Sequence, residues 1–141
     1  MLTVTKQYRT ETAHRLRDYD GLCRHLHGHS YLWEVTATAD GVDNRGILVD
    51  FKELKGAMVT VLEPFDHALL LRKDDPLIQL GNGIDDFSRV HLFEENPTAE
   101  NLACIAANAI NDELPDGVRV TEVKVWETST SFATWRAEAA N

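Results

Sequence analysis

The segment Cys23-Arg24-His25-Leu26-His27-Gly28-His29 concentrates side chains able to bind a metal or move a proton. In extended chain, residues two apart face the same side, so His27 and His29 can present both imidazoles to one ion while Gly28 leaves room for close approach. The pair alone is equally compatible with two solvated histidines. His14 changes that balance, because it lies near the end of the preceding strand-like segment, where an antiparallel neighbour can carry it beside the pair. Three imidazoles with one open position describe a catalytic Zn²⁺ site, whereas a structural site has four protein ligands. Cys23 as that fourth ligand would make the site a closed structural one.

A free cysteine is only a few per cent thiolate at pH 7 unless a cation or a proton acceptor lies nearby. Zinc and an imidazole would supply that help to Cys23. His67, preceded by Asp66 in Pro64-Phe65-Asp66-His67-Ala68-Leu69-Leu70, is the candidate relay partner, with Asp66 supporting its orientation. Spacing by itself also allows a histidine packed at a helix end.

Elements must bring these groups together. Leu2, Val4, Tyr8, Thr10, Thr12 and His14 share one parity, which predicts a strand over 2–16, and Tyr31, Trp33, Val35 and Ala37 predict a second. Asp43-Asn44-Arg45-Gly46 is a turn signal. Asp50 followed by Glu53 is a capping box, and Phe51, Leu54, Ala57, Met58, Val61 and Leu62 recur at helical spacing until Pro64, predicting a helix over 51–62. Asn96-Pro97 reads as an N-cap and first helical proline before a stripe of Leu102, Ile105, Ala106, Ala109 and Ile110, with Cys104 off the stripe. Residues 118–126 and 132–137 read as two final strands, giving the order β-β-α-α-β-β. Residues 71–95 lack sustained periodicity and read as a long excursion, with one short element near 77–80 or 90–93.

Composition sets the remaining bounds. A chain of 141 residues with 43% hydrophobic and 26% charged residues fits one ordinary globular domain, 1–141. Fourteen Lys and Arg against twenty-three Asp and Glu leave a formal charge of −9, which disfavours nonspecific attraction to nucleic acid or anionic membranes. No apolar run approaches the length of a membrane span, and Met1–Tyr8 alternates instead of forming a signal-peptide core, so the expectation is a cytoplasmic protein. Two dissimilar cysteines, Cys23 and Cys104, argue against a disulfide framework.

Six motifs occur in an order that resembles the 6-pyruvoyl-tetrahydropterin synthase family over nearly the whole chain. They are Thr12-Ala13-His14-Arg15-Leu16, Cys23-x-x-x-His27-Gly28-His29, Val49-Asp50-Phe51, Phe65-Asp66-His67, Asn96-Pro97-Thr98-Ala99-Glu100-Asn101 and Trp126-Glu127-Thr128. The short gap between Cys23 and His27 looks like the bacterial 6-carboxy-tetrahydropterin synthase branch of queuosine biosynthesis. The resemblance implies an α+β tunnelling fold (T-fold): a four-stranded antiparallel sheet with two helices on one face, oligomerising into a barrel, commonly a homohexamer built as a dimer of trimers. It also implies zinc held by His14, His27 and His29, Cys23 as proton acceptor, and His67 and Glu127 as relay or anchor.

Glu127 has a rationale of its own, since a carboxylate accepts two hydrogen bonds from the amino-pyrimidine edge of a pterin. Thr98 and Glu100 are further candidates to line the pocket, although Glu100 equally favours a helix N-terminus. Arg15, Arg17 and Arg24 are the local cations best placed for a substrate triphosphate, with Lys52, Lys55 and Arg72 weaker candidates. His25 reads as solvated.

The expected activity is a zinc-dependent lyase converting 7,8-dihydroneopterin triphosphate to 6-carboxy-5,6,7,8-tetrahydropterin, with release of acetaldehyde and triphosphate. Two alternatives keep the same pocket: formation of the 6-pyruvoyl product, or an aldolase-type reaction of the folate pathway. A third is a non-catalytic, zinc-stabilised oligomer that binds pterins or purines. No dinucleotide fingerprint is present, in agreement with chemistry that needs no nicotinamide.

Overall fold

A computed structural model describes residues 1–81 and 87–138. Strand β1 (Val4–His14) turns its even positions inward, so Thr10, Thr12 and His14 are buried while Thr5, Gln7, Arg9 and Glu11 are exposed. Strand β2 begins at His27, four residues before its expected apolar core, and runs to Ala39. It pairs antiparallel with β1 in a register that sets His27 opposite His14 and His29 opposite Thr12. Its inward residues Tyr31, Trp33, Val35 and Ala37 are fully buried.

Helix α1 (Phe51–Leu62) starts as expected: Asp50 accepts from the Lys52 N–H at 2.8 Å, and Glu53 accepts from the Asp50 N–H at 3.3 Å. Leu54, Met58 and Leu62 are completely buried, each such side chain contributing about 1.5–3 kcal/mol of transfer free energy. Phe51, expected on the same stripe, is exposed because it occupies the first helical turn beyond the edge of the packed face. After a 3₁₀ turn (Glu63–Phe65) containing Pro64, strand β3 (Ala68–Arg72) runs parallel to β1. The short helix α2 (Leu77–Leu80) and strand β4 (Val90–Phe93), parallel to β3, complete the excursion; residues 82–86 of it lie outside the described residues.

Helix α3 (Ala99–Asp112) is capped by Thr98, whose hydroxyl accepts from the Asn101 N–H, and not by Asn96 as the Asn-Pro signal suggested. Asn96 is committed elsewhere, clamping both backbone groups of Arg17. The buried stripe of α3 is Ala99, Leu102, Ala103, Ala106, Ala107 and Ile110, so Ile105 and Ala109 sit off it. With alanines around most of the helix, the pattern leaves the facing angle open until packing settles it.

Strand β5 (Val118–Thr128) adds antiparallel to β2, with a bulge at Thr36/Ala37, and β6 (Ser131–Arg136) adds antiparallel to β5. The sheet order is β4-β3-β1-β2-β5-β6. Among the described residues, the antiparallel strands β1-β2-β5-β6 are therefore part of a six-stranded mixed sheet, and there are three α-helices in place of two. Both additional strands pair in parallel across long connections, which local alternation does not announce. Helices α1 and α3 pack on one face against a core centred on Trp33, Tyr31, Met58 and Leu102, leaving the other face of the sheet open. Among the described residues, no helix is long and apolar enough to cross a membrane.

Candidate metal centre and active site

The β1–β2 register delivers the three histidines to one end of the core face. His14 Nε2 lies 3.1 Å from His27 Nε2, and the ligand atoms of His14, His27, His29 and Glu127 all fall within 4.8 Å of one another. Gly28 serves the backbone approach: a Cβ there would stand 3.2 Å from the Thr12 carbonyl oxygen. The close neighbour is thus the adjacent strand.

Backbone carbonyls fix the orientation of two rings. His14 Nδ1 lies 2.8 Å from the Pro97 carbonyl, and His27 Nδ1 lies 2.7 Å from the His25 carbonyl. Carbonyls only accept, so each Nδ1 carries the proton and each neutral ring leaves an Nε2 lone pair. Those lone pairs face one another at 3.1 Å, an arrangement that repels unless a cation lies between them. His29 Nε2 is buried without a hydrogen-bond partner; it lies 2.8 Å from Glu127 Oε1 but outside hydrogen-bond alignment. Tetrahedral zinc with Zn–N bonds of about 2.0–2.1 Å needs ligand nitrogens roughly 3.3 Å apart, and imidazole nitrogens are ligands of suitable softness. The donor set fits a Zn²⁺ ion.

Electrostatics favour the neutral form of His14 and His29. Burial lowers His14 to about 4, the Pro97 hydrogen bond opposing and the charges of His27 and His29 reinforcing the shift. Burial also lowers His29, with Glu127 opposing. Tyr31 is a partner that the sequence did not reveal: its hydroxyl is 3.2 Å from His14 Nδ1 and 3.3 Å from Nε2. Burial raises its phenol well above the ordinary range, and the nearby carboxylate of Glu127 pushes the same way.

The sequence profile described as 6-pyruvoyl tetrahydropterin synthase matches residues 3–138. The chain belongs to that family. It is 34% identical over 137 residues to a 6-carboxy-5,6,7,8-tetrahydropterin synthase of Rickettsia bellii, covering 94% of this chain and 98% of that one. The Aquifex aeolicus protein of the same name is 28% identical, with 96% and 98% covered. In fold it is similar to an uncharacterized protein from Wolinella succinogenes (TM-score 0.83, 21% identity, 97% and 98% covered). A second neighbour is the Caenorhabditis elegans 6-pyruvoyl tetrahydropterin synthase (TM-score 0.70, 22% identity, 97% and 96% covered).

The other sequence-level candidates of this 6-pyruvoyl tetrahydropterin synthase family member divide. Cys23 is a free, half-buried thiol on a 3₁₀ turn (Leu22–Arg24), and Glu127, not Cys23, stands fourth in the histidine cluster. Asp66 and His67 pair at 3.0 Å and clip onto β1, Asp66 Oδ1 accepting from the Glu11 N–H and the His67 N–H donating to the Glu11 carbonyl. The His67 ring is 77% exposed and lines a cavity of about 530 Å³ with Glu11, Ala13, Gly28, His29 and Ser30. His67 is not one of the four residues whose ligand atoms cluster. Thr98 spends its hydroxyl on the α3 cap, and Glu100 is exposed in the first turn of α3. Arg15 is held by buried Asp75, and Arg72 by Asp18 and Asp74, which removes both from the pool of free cations.

Proposed function

We propose that this chain is a zinc-dependent lyase that converts 7,8-dihydroneopterin triphosphate to 6-carboxy-5,6,7,8-tetrahydropterin, releasing acetaldehyde and triphosphate on the route to queuosine and related 7-deazapurines. The observation that carries the reading is the pair of opposed Nε2 lone pairs of His14 and His27 with the orphaned Nε2 of His29 beside them. Several relatives named 6-carboxy-5,6,7,8-tetrahydropterin synthase support the choice of product.

His14, His27 and His29 would hold the zinc. Bound there, zinc supplies Lewis acidity toward the side-chain oxygens of the substrate and so acidifies the adjoining C–H and O–H groups. Glu127, half-exposed beside the cluster, anchors the amino-pyrimidine edge through two charge-assisted hydrogen bonds. Cys23 takes the proton released from the side chain as a thiolate, and tautomerisation carries the reducing equivalents into the ring. Elimination of triphosphate leaves a 1',2'-dicarbonyl side chain; a water molecule then adds to C1' and the C1'–C2' bond breaks, the water oxygen remaining in the carboxylate and the two-carbon fragment taking up a proton to leave as acetaldehyde. The Asp66–His67 pair returns a proton to Cys23; because the His67 ring is exposed and stands outside the histidine cluster of its own chain, it serves the Cys23 of another copy. That arrangement agrees with a homohexameric barrel closed over the open face.

The test is product analysis of zinc-loaded protein incubated with 7,8-dihydroneopterin triphosphate, with acetaldehyde trapped and the pterin identified by mass. Acetaldehyde with the 6-carboxy product is expected. A pyruvoyl or hydroxymethyl product would reassign the reaction, and no turnover would leave a binding protein.

A further inference from the structure

We infer that the loop between β1 and β2 forms an oligophosphate-binding pocket in which Arg17 and Arg24, not Arg15, grip the phosphate chain of the substrate; the choice of ligand rests on the triphosphate named above. The pocket is a cavity of about 320 Å³ lined by Arg15, Leu16, Arg17, Asp18, Tyr19, Arg24 and His25. It brings three guanidinium groups together in a chain whose formal charge is −9.

The three are not equivalent. Arg15 makes two hydrogen bonds of 2.7 Å to the Asp75 carboxylate, which is fully buried, so its charge is already matched. The one carboxylate that lines the cavity, Asp18, is bound by Arg72 at 2.7 Å. Arg24 has a loose ion pair of 3.5 Å with Asp20, itself fully exposed, and donates from Nε to His25 Nε2 at 3.4 Å, so no buried carboxylate matches its charge. Arg17 makes no ion pair among the described residues, and its Nε is buried with no hydrogen-bond partner. A buried, unpaired charged donor is costly, and a fold with twenty-three acidic residues leaves it unpaired where an anion completes it.

The surroundings are built to hold that guanidinium in place. Asn96 clamps the Arg17 backbone on both sides, Oδ1 accepting from its N–H and Nδ2 donating to its carbonyl, each at 2.8 Å. Asn101 in turn donates to the Asn96 carbonyl at 2.8 Å. Residues 15, 17 and 18 are thus each tied to a different element, and binding orders little that is not already ordered. The pocket also abuts the reaction centre: the Leu16 N–H donates to the Cys23 carbonyl at 2.9 Å, and the His25 carbonyl orients His27. An anion held here lies on the Cys23 side of the histidine cluster, where the phosphorylated end of a substrate side chain would leave it. Guanidinium forks suit phosphate oxygens through parallel charged hydrogen bonds.

The experiment is calorimetric titration of inorganic tripolyphosphate into the full-length protein, both metal-loaded and metal-free, because polyphosphates also bind metal ions. Wild type, Arg17→Ala and Arg24→Ala are compared, alongside the binding of unphosphorylated 7,8-dihydroneopterin. Each substitution is expected to weaken tripolyphosphate binding in the metal-free protein by roughly 10-fold or more, the scale of a lost charged hydrogen bond, and to leave dihydroneopterin affinity unchanged. If Arg17→Ala does not fold, the exposed Arg24 decides through its own variant. Wild type that fails to bind tripolyphosphate, or variants that bind it as wild type does, would overturn the pocket even with lyase turnover intact. Arginine-dependent binding without turnover would retain the pocket and remove the lyase.

Discussion

His14 and His27 stand directly opposite each other in the β1–β2 ladder, their Nε2 atoms 3.1 Å apart and both Nδ1 atoms bound to backbone carbonyls. Neither ring can turn to relieve the contact without giving up its carbonyl. The backbone thereby selects the tautomers that a divalent ion needs, before any ion arrives.

Removing one imidazole should accordingly abolish tight metal binding. His27→Ala is expected to lower zinc affinity by at least about 100-fold, as measured by competition with a chromophoric chelator. Wild-type affinity in this variant would refute the histidine site.

The metal-free protein should be acid-sensitive in a defined window. His14 is held down to about 4 by burial, against about 6.5 in the unfolded chain, so the unfolded state binds more protons between those values. Stability therefore rises with pH across the window and is lost as pH falls from 6.5 toward 4, by about 3 kcal/mol for this group alone. Urea unfolding of metal-free protein at pH 7.5, 5.5 and 4.5 measures the slope, which His14→Gln should flatten.

Cys23→Ala should retain zinc and pterin binding while turnover falls by about 10²–10⁴-fold, the usual weight of a positioned proton-transfer group. Single-turnover assays with zinc quantified in the same sample separate the two effects. Unchanged turnover would take the proton-transfer role from the thiol.

A His67 that serves the Cys23 of another copy predicts complementation. Cys23→Ala and His67→Ala proteins, each impaired alone, should regain part of the activity when mixed under subunit exchange, because a mixed assembly contains sites with both groups intact. Persistent inactivity after demonstrated exchange would mean that both groups serve the same copy.

Arg15 and Asp75 should matter for stability first. Asp75→Ala leaves a largely buried guanidinium unpaired and is expected to cost about 3–5 kcal/mol in urea unfolding. A loss below 1 kcal/mol would mean that the β3–α2 connection is anchored some other way.

Much of the centre is local in origin and so was legible in the residues. The period of two puts His27 and His29 on one face, Asp50 and Glu53 announce the start of α1, and Pro64 ends it. Other parts have no local signature. Any residue can offer a carbonyl, so nothing marks Pro97 as the partner of His14. Asn96 resembles a helix cap because Asn-Pro is a common cap pair, yet its side chain reaches 79 residues back to Arg17. His67 takes a positive φ of 54°, a conformation that a sequence rarely signals outside glycine.

The sequence by itself determined the shared face of His27 and His29, the alternation of the four strands and the stripes of the two long helices, since each depends on spacing within one segment. Only the tertiary structure decided that Glu127 stands fourth in the cluster, that Arg15 is neutralised while Arg17 is not, and that β3 and β4 extend the sheet. Those relations join residues far apart in the chain. They are set by which strands pair and which charges are buried together, and the compact fold chooses between partners that any one segment leaves equivalent.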